Sequence, residues 1–254
     1  MHTILNLAGY RFVALHDLPA WRTHLLAEAR QRALLGTVLL AEEGINFFLA
    51  GAADAARGFL ALLQADPCLV GLSAKESWSA KPPFKRLLVK IKREIIRMDH
   101  PTVRPAEGRA PAVDAATLSR WLDAGRCDAG RELVLLDTRN AFEVQAGRFA
   151  GALHWQLGKF GDFPAALEAG RAALAGKTVV SYCTGGIRCE KAALLMAERG
   201  VPHALQLEGG ILAYFAAVGA RHFEGECFVF DQRETLDFAL RPAGPSAGTP
   251  ILAG

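Results

Sequence analysis

Apolar positions along the chain change their period several times, and each change marks an element. Tyr10–Leu15 alternates and is rich in strand formers, which predicts a strand. Leu18–Leu35 carries apolar residues at helical spacing, with Asp17 placed to cap its start and Gly36 just past its end. Thr37–Ala41 and Ile45–Ala50 are short apolar runs separated by Glu42-Glu43-Gly44, the pattern of a hairpin. The two glutamates there are explained by the turn without invoking a carboxylate site. Asp54–Gln64 reads as a helix. Leu87, Val89 and Ile91 alternate with Lys90 and Lys92, which predicts a last strand with one apolar and one basic face. The order β-α-β-β-α-β is that of a small ferredoxin-like α+β domain, assigned to residues 1–100.

Residues 101–112 read as a linker, because Pro101, Pro105, Pro111 and Gly108 interrupt any regular element. From 113 to 225 strands and helices alternate. Asp114–Ala124 is a helix with Asp114 as N-cap, and Leu133–Leu136 is a buried strand that ends in Asp137-Thr138-Arg139. Phe163–Leu174 reads as a helix, Thr178–Tyr182 as a second apolar strand, and Cys189–Arg199 as a helix closed by Gly200. Ala204–Leu207 is a third strand, and Gly209-Gly210 precedes a helix over Ile211–Val218. This alternation predicts the α/β class, with a parallel sheet flanked by helices on both faces. Residues 226–254 form a C-terminal segment, rich enough in Pro, Gly, Ala and Ser from about 241 to be flexible.

Composition narrows the class. About half of the 254 residues are apolar, yet no apolar run reaches the roughly 18–20 residues that span a bilayer. No basic stretch followed by an apolar one opens the chain, so no signal peptide and a cytoplasmic location are expected. Cysteine count is odd at five, with no Cys-x-x-Cys pair and no Cys/His spacing for zinc, so neither a disulfide framework nor a metal site is expected. Net charge is only +3, but residues 1–110 carry 15 Lys and Arg against 10 Asp and Glu. The excess concentrates between Lys75 and Arg97. Lys81, Lys85, Arg86, Lys90, Lys92 and Arg93 are therefore candidate contacts for a polyanion, with a solvated strand face as the plainer explanation.

The segment Val179-Val180-Ser181-Tyr182-Cys183-Thr184-Gly185-Gly186-Ile187-Arg188-Cys189 holds the chemistry. It is a strand, then a glycine-bearing loop, then a helix, and ligands of open parallel sheets bind beyond the carboxyl ends of their strands. A helix starting near Cys189 directs free N–H groups and its positive dipole end at the loop. Gly185 and Gly186 allow successive N–H groups to turn inward, and Arg188 adds a positive charge. Thr184, Gly185, Gly186, Ile187 and Arg188 thus form an anion cradle that favours Cys183 as a thiolate nucleophile. The same cradle would hold a persulfide. Cys189, also near the helix start, either resolves an oxidised Cys183 or packs. Cys68, Cys127 and Cys227 have no supporting neighbours. Asp137, Arg139 and Glu143 are read as structural support that ties neighbouring loops by charge-assisted hydrogen bonds.

Leu136-Asp137-Thr138-Arg139, Glu143, Gly147, Gly151-Ala152 and the Cys183–Arg188 loop resemble the rhodanese domain. The Cys-x4-Arg spacing resembles its sulfur-handling branch, since phosphatase relatives use one more loop residue. Ala41-Glu42-Glu43-Gly44-Ile45-Asn46, the basic strand, Cys-Thr-Gly-Gly-Ile-Arg-Cys-Glu-Lys and Cys227-Phe-Val-Phe-Asp231 together resemble the tRNA uridine(34) hydroxylase family over roughly residues 1–232. That resemblance implies 5-hydroxyuridine formation at the wobble position, Cys183 as the essential cysteine, molecular oxygen as co-substrate and the anticodon arm of tRNA as partner. Many members carry a Cys-rich extension after Phe-Val-Phe-Asp, where this sequence has a Pro/Gly/Ala tail. No flavin, haem or iron motif stands in the sequence. Two other readings remain open on the residues alone: a sulfurtransferase carrying a persulfide on Cys183, and a non-catalytic RNA-binding module.

Overall fold

The computed structural model describes residues 3–243. The chain opens with β1 (Ile4–Phe12), α1 (Leu18–Gln31), β2 (Leu35–Ala41), β3 (Gly44–Ala52), α2 (Ala53–Ala65), β4 (Ala74–Ser79) and β5 (Leu87–Ile91). Sheet order is β4-β1-β3-β2-β5. The first four strands form the antiparallel ferredoxin-like arrangement, and β5 adds to the β2 edge in parallel.

Three details depart from the sequence pattern. β1 begins at Ile4 rather than Tyr10, because long-range pairing with β3 and β4 overrides the weak strand propensity of Asn6, Ala8 and Gly9. α1 stops at Gln31 rather than Leu35. Ala33 turns left-handed (φ 52°), and Leu35 already pairs with Ala50. Gly36 therefore sits in a strand, where a Cβ would come within 2.0 Å of the Phe48 carbonyl oxygen. The strand that completes the ferredoxin-like unit is the polar β4, not Leu87–Ile91, which is a fifth strand. Of the apolar face expected for β5, Val89 is buried but Ile91 is exposed beside Lys90 and Lys92.

Alternation along the strands gives this sheet two different faces. Leu5, Leu7, Ile45, Phe47 and Leu49 enter a core under Leu25 of α1 and Phe59 and Leu63 of α2. Asn6, Ala8, Tyr10, Asn46 and Phe48 point the other way, toward the second half of the chain.

That half contains β6 (Ala112–Val113), α3 (Ala115–Ala124), β7 (Leu133–Asp137), α4 (Ala141–Ala146), β8 (Gly147–Phe149), β9 (Leu153–His154), α5 (Phe163–Gly170), β10 (Thr178–Tyr182), α6 (Ile187–Glu198), β11 (Ala204–Leu207) and α7 (Gly210–Val218). Strands β6-β11-β10-β7-β9 form a parallel sheet, with β10 at its centre. Every residue of β10 is buried. Val179 joins the core on one face, and Val180 and Tyr182 join the core on the other. Asp114 caps α3 by accepting the Thr117 N–H at 2.8 Å. α5 is shorter than expected, finishing in a tighter turn over Arg171–Leu174, and α6 starts at Ile187, two residues before Cys189.

The chain ends with β12 (Phe223–Gly225), paired to β8, and a hairpin of β13 (Cys227–Phe228) and β14 (Thr235–Leu236). The flexibility expected from about 241 falls mainly on 244–254, outside the described residues. Ala243 is still tied by its N–H to the Thr235 carbonyl at 3.2 Å.

The first turns of α6 dock the two halves. Lys191, 1% exposed, donates from Nζ to Glu43 at 2.9 Å, to Glu94 at 2.6 Å and to the Ile96 carbonyl at 3.1 Å. Tyr10 donates its hydroxyl to Glu190 at 2.9 Å. Ala41, Ile95 and Ile187 close an apolar patch beside these contacts. Between β5 and β6 the chain has no helix or strand, yet Met98, Val103 and Ala110 are buried in the second core.

Removing one member of a buried ionic cluster leaves the others uncompensated, which costs roughly 3 kcal/mol or more. Lys191→Met is expected to lower the denaturant midpoint accordingly. The combined Glu43→Gln, Glu94→Gln, Lys191→Met variant is expected to recover most of the loss in the same unfolding measurement.

Candidate active site

Cys183 is the first residue after β10, and its side chain is fully buried. The Gly186 N–H donates to its Sγ at 3.1 Å. Gly186 takes φ 104°, and a Cβ there would lie 3.1 Å from the Tyr10 hydroxyl. Gly185 has no such need, since a Cβ on it would meet nothing within 4 Å. Only one of the two glycines is therefore required by the backbone.

Helix α7 holds the loop from behind. Ile211 and Leu212 donate their N–H groups to the carbonyls of Cys183 (2.9 Å) and Thr184 (3.1 Å). This approach requires Gly210, where a Cβ would fall 2.4 Å from the Cys183 carbonyl oxygen. From the other side Lys75 of β4 donates to the Gly185 carbonyl at 2.9 Å. Burial pushes the Lys75 ammonium below the ordinary lysine range.

Burial alone would raise the Cys183 thiol. It is outweighed by the adjacent Cys189 thiol, the Arg188 charge and the N–H groups of Cys189 and Arg188, so Cys183 lies well below the usual thiol range. Ile187 and Arg188, read as loop from the sequence, belong to the first turn of α6, which aims those N–H groups.

Arg188 does not supply an isolated positive charge. Its guanidinium is buried against Glu143 in a two-pronged pair at 2.6 and 2.7 Å, which tempers the charge that Cys183 feels. Cys189 donates to the Gly186 carbonyl at 2.9 Å, and burial pushes its thiol well above the ordinary value. The two sulfurs thus meet the same residue from its two ends: the Gly186 N–H faces Cys183 and the Gly186 C=O accepts from Cys189.

Arg139 and Asp137 pair in full burial, and Arg139 also donates to the Gly147 carbonyl at 2.6 Å. Thr138 donates its N–H and hydroxyl to the Tyr182 carbonyl at 3.0 and 2.9 Å. This corner fixes the end of β7, and with it Glu143, against the end of β10. Cys227 is buried, with its thiol pushed up to about 12. Cys127 is buried too, and Cys68 is exposed.

Cys183, Thr184, Gly185, Ile187 and Arg188 line a cavity of about 560 Å³. Its opposite wall is the helix-free face of the first sheet, with Tyr10, Asn46, Phe48 and Lys75, and Phe230 and Arg233 of the C-terminal segment complete it. Lys81, Lys85, Arg86, Lys90, Lys92 and Arg93 are all exposed, and none of them lines this cavity. Among the described residues no group of three or more His, Cys, Asp and Glu is placed to hold a metal ion.

Sequence reading missed Tyr10, Lys75, Gly210 and the separate partners of Glu190 and Lys191. The small and polar face of β1, Asn6-Ala8-Tyr10 against Leu5-Leu7, was the available signal for Tyr10. Lys75 was counted only as part of a basic stretch because β4 carries no apolar alternation.

A thiolate loop at the end of a central parallel strand, roofed by an α+β domain, defines a two-domain protein of the rhodanese class. Residues 4–95 match the model described as UPF0176 acylphosphatase like domain, and 114–217 match the rhodanese-like domain. The tRNA uridine(34) hydroxylase of Bordetella pertussis is 62% identical over 242 residues, covering 95% of this chain and 99% of that protein. Its namesakes in Variovorax paradoxus and Delftia acidovorans are 60% and 57% identical, covering 97% and 95% of this chain and 95% and 93% of their own lengths. The chain belongs to the tRNA uridine(34) hydroxylase family.

With its pKa depressed, Cys183 carries more thiolate at a given pH than an ordinary cysteine, so its alkylation rate is expected to rise less between about pH 7 and 9 than that of an unperturbed thiol. Replacing the ion pair by a neutral one, Glu143→Gln with Arg188→Gln, removes a cause of the depression. The midpoint of the rate profile then moves up and labelling climbs with pH across that range. Peptide mass spectrometry of Cys183 after brief exposure to a small alkylating agent reads both profiles.

Proposed function

We propose that this protein hydroxylates the wobble uridine of tRNA at C5, with the Cys183 thiolate as its nucleophile and molecular oxygen as co-substrate. The observation that carries this reading is the placement of a stabilised thiolate on the wall of a cavity shared by both domains, in a chain that aligns with its relatives along nearly their whole length. A cavity of about 560 Å³ is in the range that takes a small ligand. An enzyme that acts on a base receives it unstacked, in such a pocket.

In the proposed chemistry Cys183 adds to C6 of the pyrimidine and C5 becomes nucleophilic toward an oxygen species. Loss of the C5 proton and release of the thiolate restore the ring. One oxygen atom goes to C5. The other leaves as water, with two electrons and two protons drawn from a reductant.

The anticodon arm is proposed to lie along the exposed basic residues of the first domain, with Lys81, Lys85, Arg86, Lys90, Lys92 and Arg93 meeting phosphates. Such an enzyme works in the cytoplasm. No helix among the described residues is long and apolar enough to cross a membrane.

A second reading keeps specific support. The N–H cradle around Cys183 suits the terminal sulfur of a persulfide as well as a thiolate. Nucleoside mass spectrometry of tRNA separates the two, in a host without its own 5-hydroxyuridine pathways that carries wild type or Cys183→Ala. The expected result is 5-hydroxyuridine with the wild type alone. Its absence from both strains, with sulfur transfer from thiosulfate to cyanide by the purified protein, would replace hydroxylation with sulfur transfer.

A further inference from the structure

Phe230 is an unusual residue to find at the edge of this site. It is 56% exposed, yet it lines the Cys183 cavity and also an adjoining open groove of about 390 Å³ bordered by Phe84 and Lys85. It is held rather than loose. Its ring meets Phe228 edge-on at 5.2 Å and Phe142 at 6.1 Å, and those two meet each other edge-on at 5.2 Å. The Arg188 guanidinium lies 5.9 Å from its centroid.

The strand turn that carries Phe230 is fixed on both sides. Val229 donates its N–H to the Glu234 carbonyl at 2.8 Å. Asp231 holds Arg233, which reaches Ser77 of the first domain at 2.7 Å. An exposed aromatic ring locked by its neighbours loses little freedom on stacking against a ligand, and a planar ring system is the partner that rewards it.

We infer that Phe230 is a stacking platform for a base flanking the wobble uridine, and so sets how the RNA strand enters the cavity. This rests on the tRNA reading above and extends it. The path runs from Lys85, placed for a phosphate, past the face of Phe230, into the cavity where the extruded pyrimidine meets Cys183. The groove is mixed in charge, with Lys85 against Glu234 and with Asp231 already paired to Arg233, so the aromatic face is what it offers a nucleic-acid base, each stacked base contributing through its π-face whatever its identity. The groove shares Val229, Phe230 and Asp231 with the Cys183 cavity, and this continuity with the place where the uridine is read to enter favours RNA over an apolar protein segment as the occupant.

The test uses the full chain and two synthetic anticodon stem-loops carrying 2-aminopurine, one on the 5′ side and one on the 3′ side of the wobble uridine. Wild type is expected to quench the fluorescence of one of them on binding. Phe230→Leu, which keeps apolar bulk without a π-face, is expected to lose that quench and to bind about tenfold or more weakly. Phe230→Trp is expected to restore both, and 5-hydroxyuridine formation by Phe230→Leu is expected to suffer in KM more than in kcat.

Wild type that quenches neither loop, or Phe230→Leu that binds and quenches as wild type does, overturns the platform. Product formed by wild type without any quench sinks the platform and leaves hydroxylation standing. Quenching that depends on Phe230, without product from wild type, leaves the platform standing and sinks hydroxylation.

Discussion

The first turns of α6 are the constraint on which the rest of the site depends. Five consecutive residues, Ile187 to Lys191, face five different surroundings. The N–H groups of Arg188 and Cys189 help to hold the Cys183 thiol low, while the Arg188 side chain pairs with Glu143. Glu190 receives Tyr10, and Lys191 takes Glu43 and Glu94. Ile187 closes the apolar patch between the domains. One short piece of helix therefore stabilises the thiolate and binds the domain that roofs it. Neither task can shift without disturbing the other, because the helix presents all five side chains in a fixed rotation.

Burial has opposite consequences for neighbouring groups in this arrangement. Cys183 and Cys189 are both removed from water. The former is held low by the neighbouring Cys189 thiol, the Arg188 charge and N–H groups, whereas burial and the neighbouring Cys183 raise the latter. Burial also raises Glu43, and Lys191 opposes that rise. At Glu94 burial again pushes upward, but Lys191 and the Met98 and Asp99 N–H groups prevail and its carboxyl falls below the ordinary range. Two carboxylates that share one lysine are thus shifted in opposite directions, because burial weighs more at Glu43 and hydrogen bonding more at Glu94.

Much of the second domain was legible in the sequence because its central strand is buried on both faces and its first helix is capped by a recognisable Asp114. β10 and the Cys183 loop stand out as an apolar run entering glycines. The first domain was harder. β4 is polar along its length, so only pairing with β1 reveals it, and with it the placement of Lys75 behind the thiolate loop. Arg188 could be placed near Cys183 from spacing, but its compensation by Glu143 is a contact 45 residues apart that no local pattern encodes. The partners of Glu190 and Lys191 lie in another domain and are invisible for the same reason. The cavity itself is a product of docking, so its walls could not be read from either domain alone.

Hydroxylation by this site requires that the Cys183 sulfur react with the wobble base itself. The most direct measurement presents the protein with tRNA in which 5-fluorouridine replaces the wobble uridine. Fluorine at C5 removes the proton whose loss would release the base. The expected result is a covalent protein–RNA species that maps by mass spectrometry to the peptide holding Cys183, and none with Cys183→Ala. An adduct on another residue, or none from a protein that hydroxylates the ordinary tRNA, would contradict it.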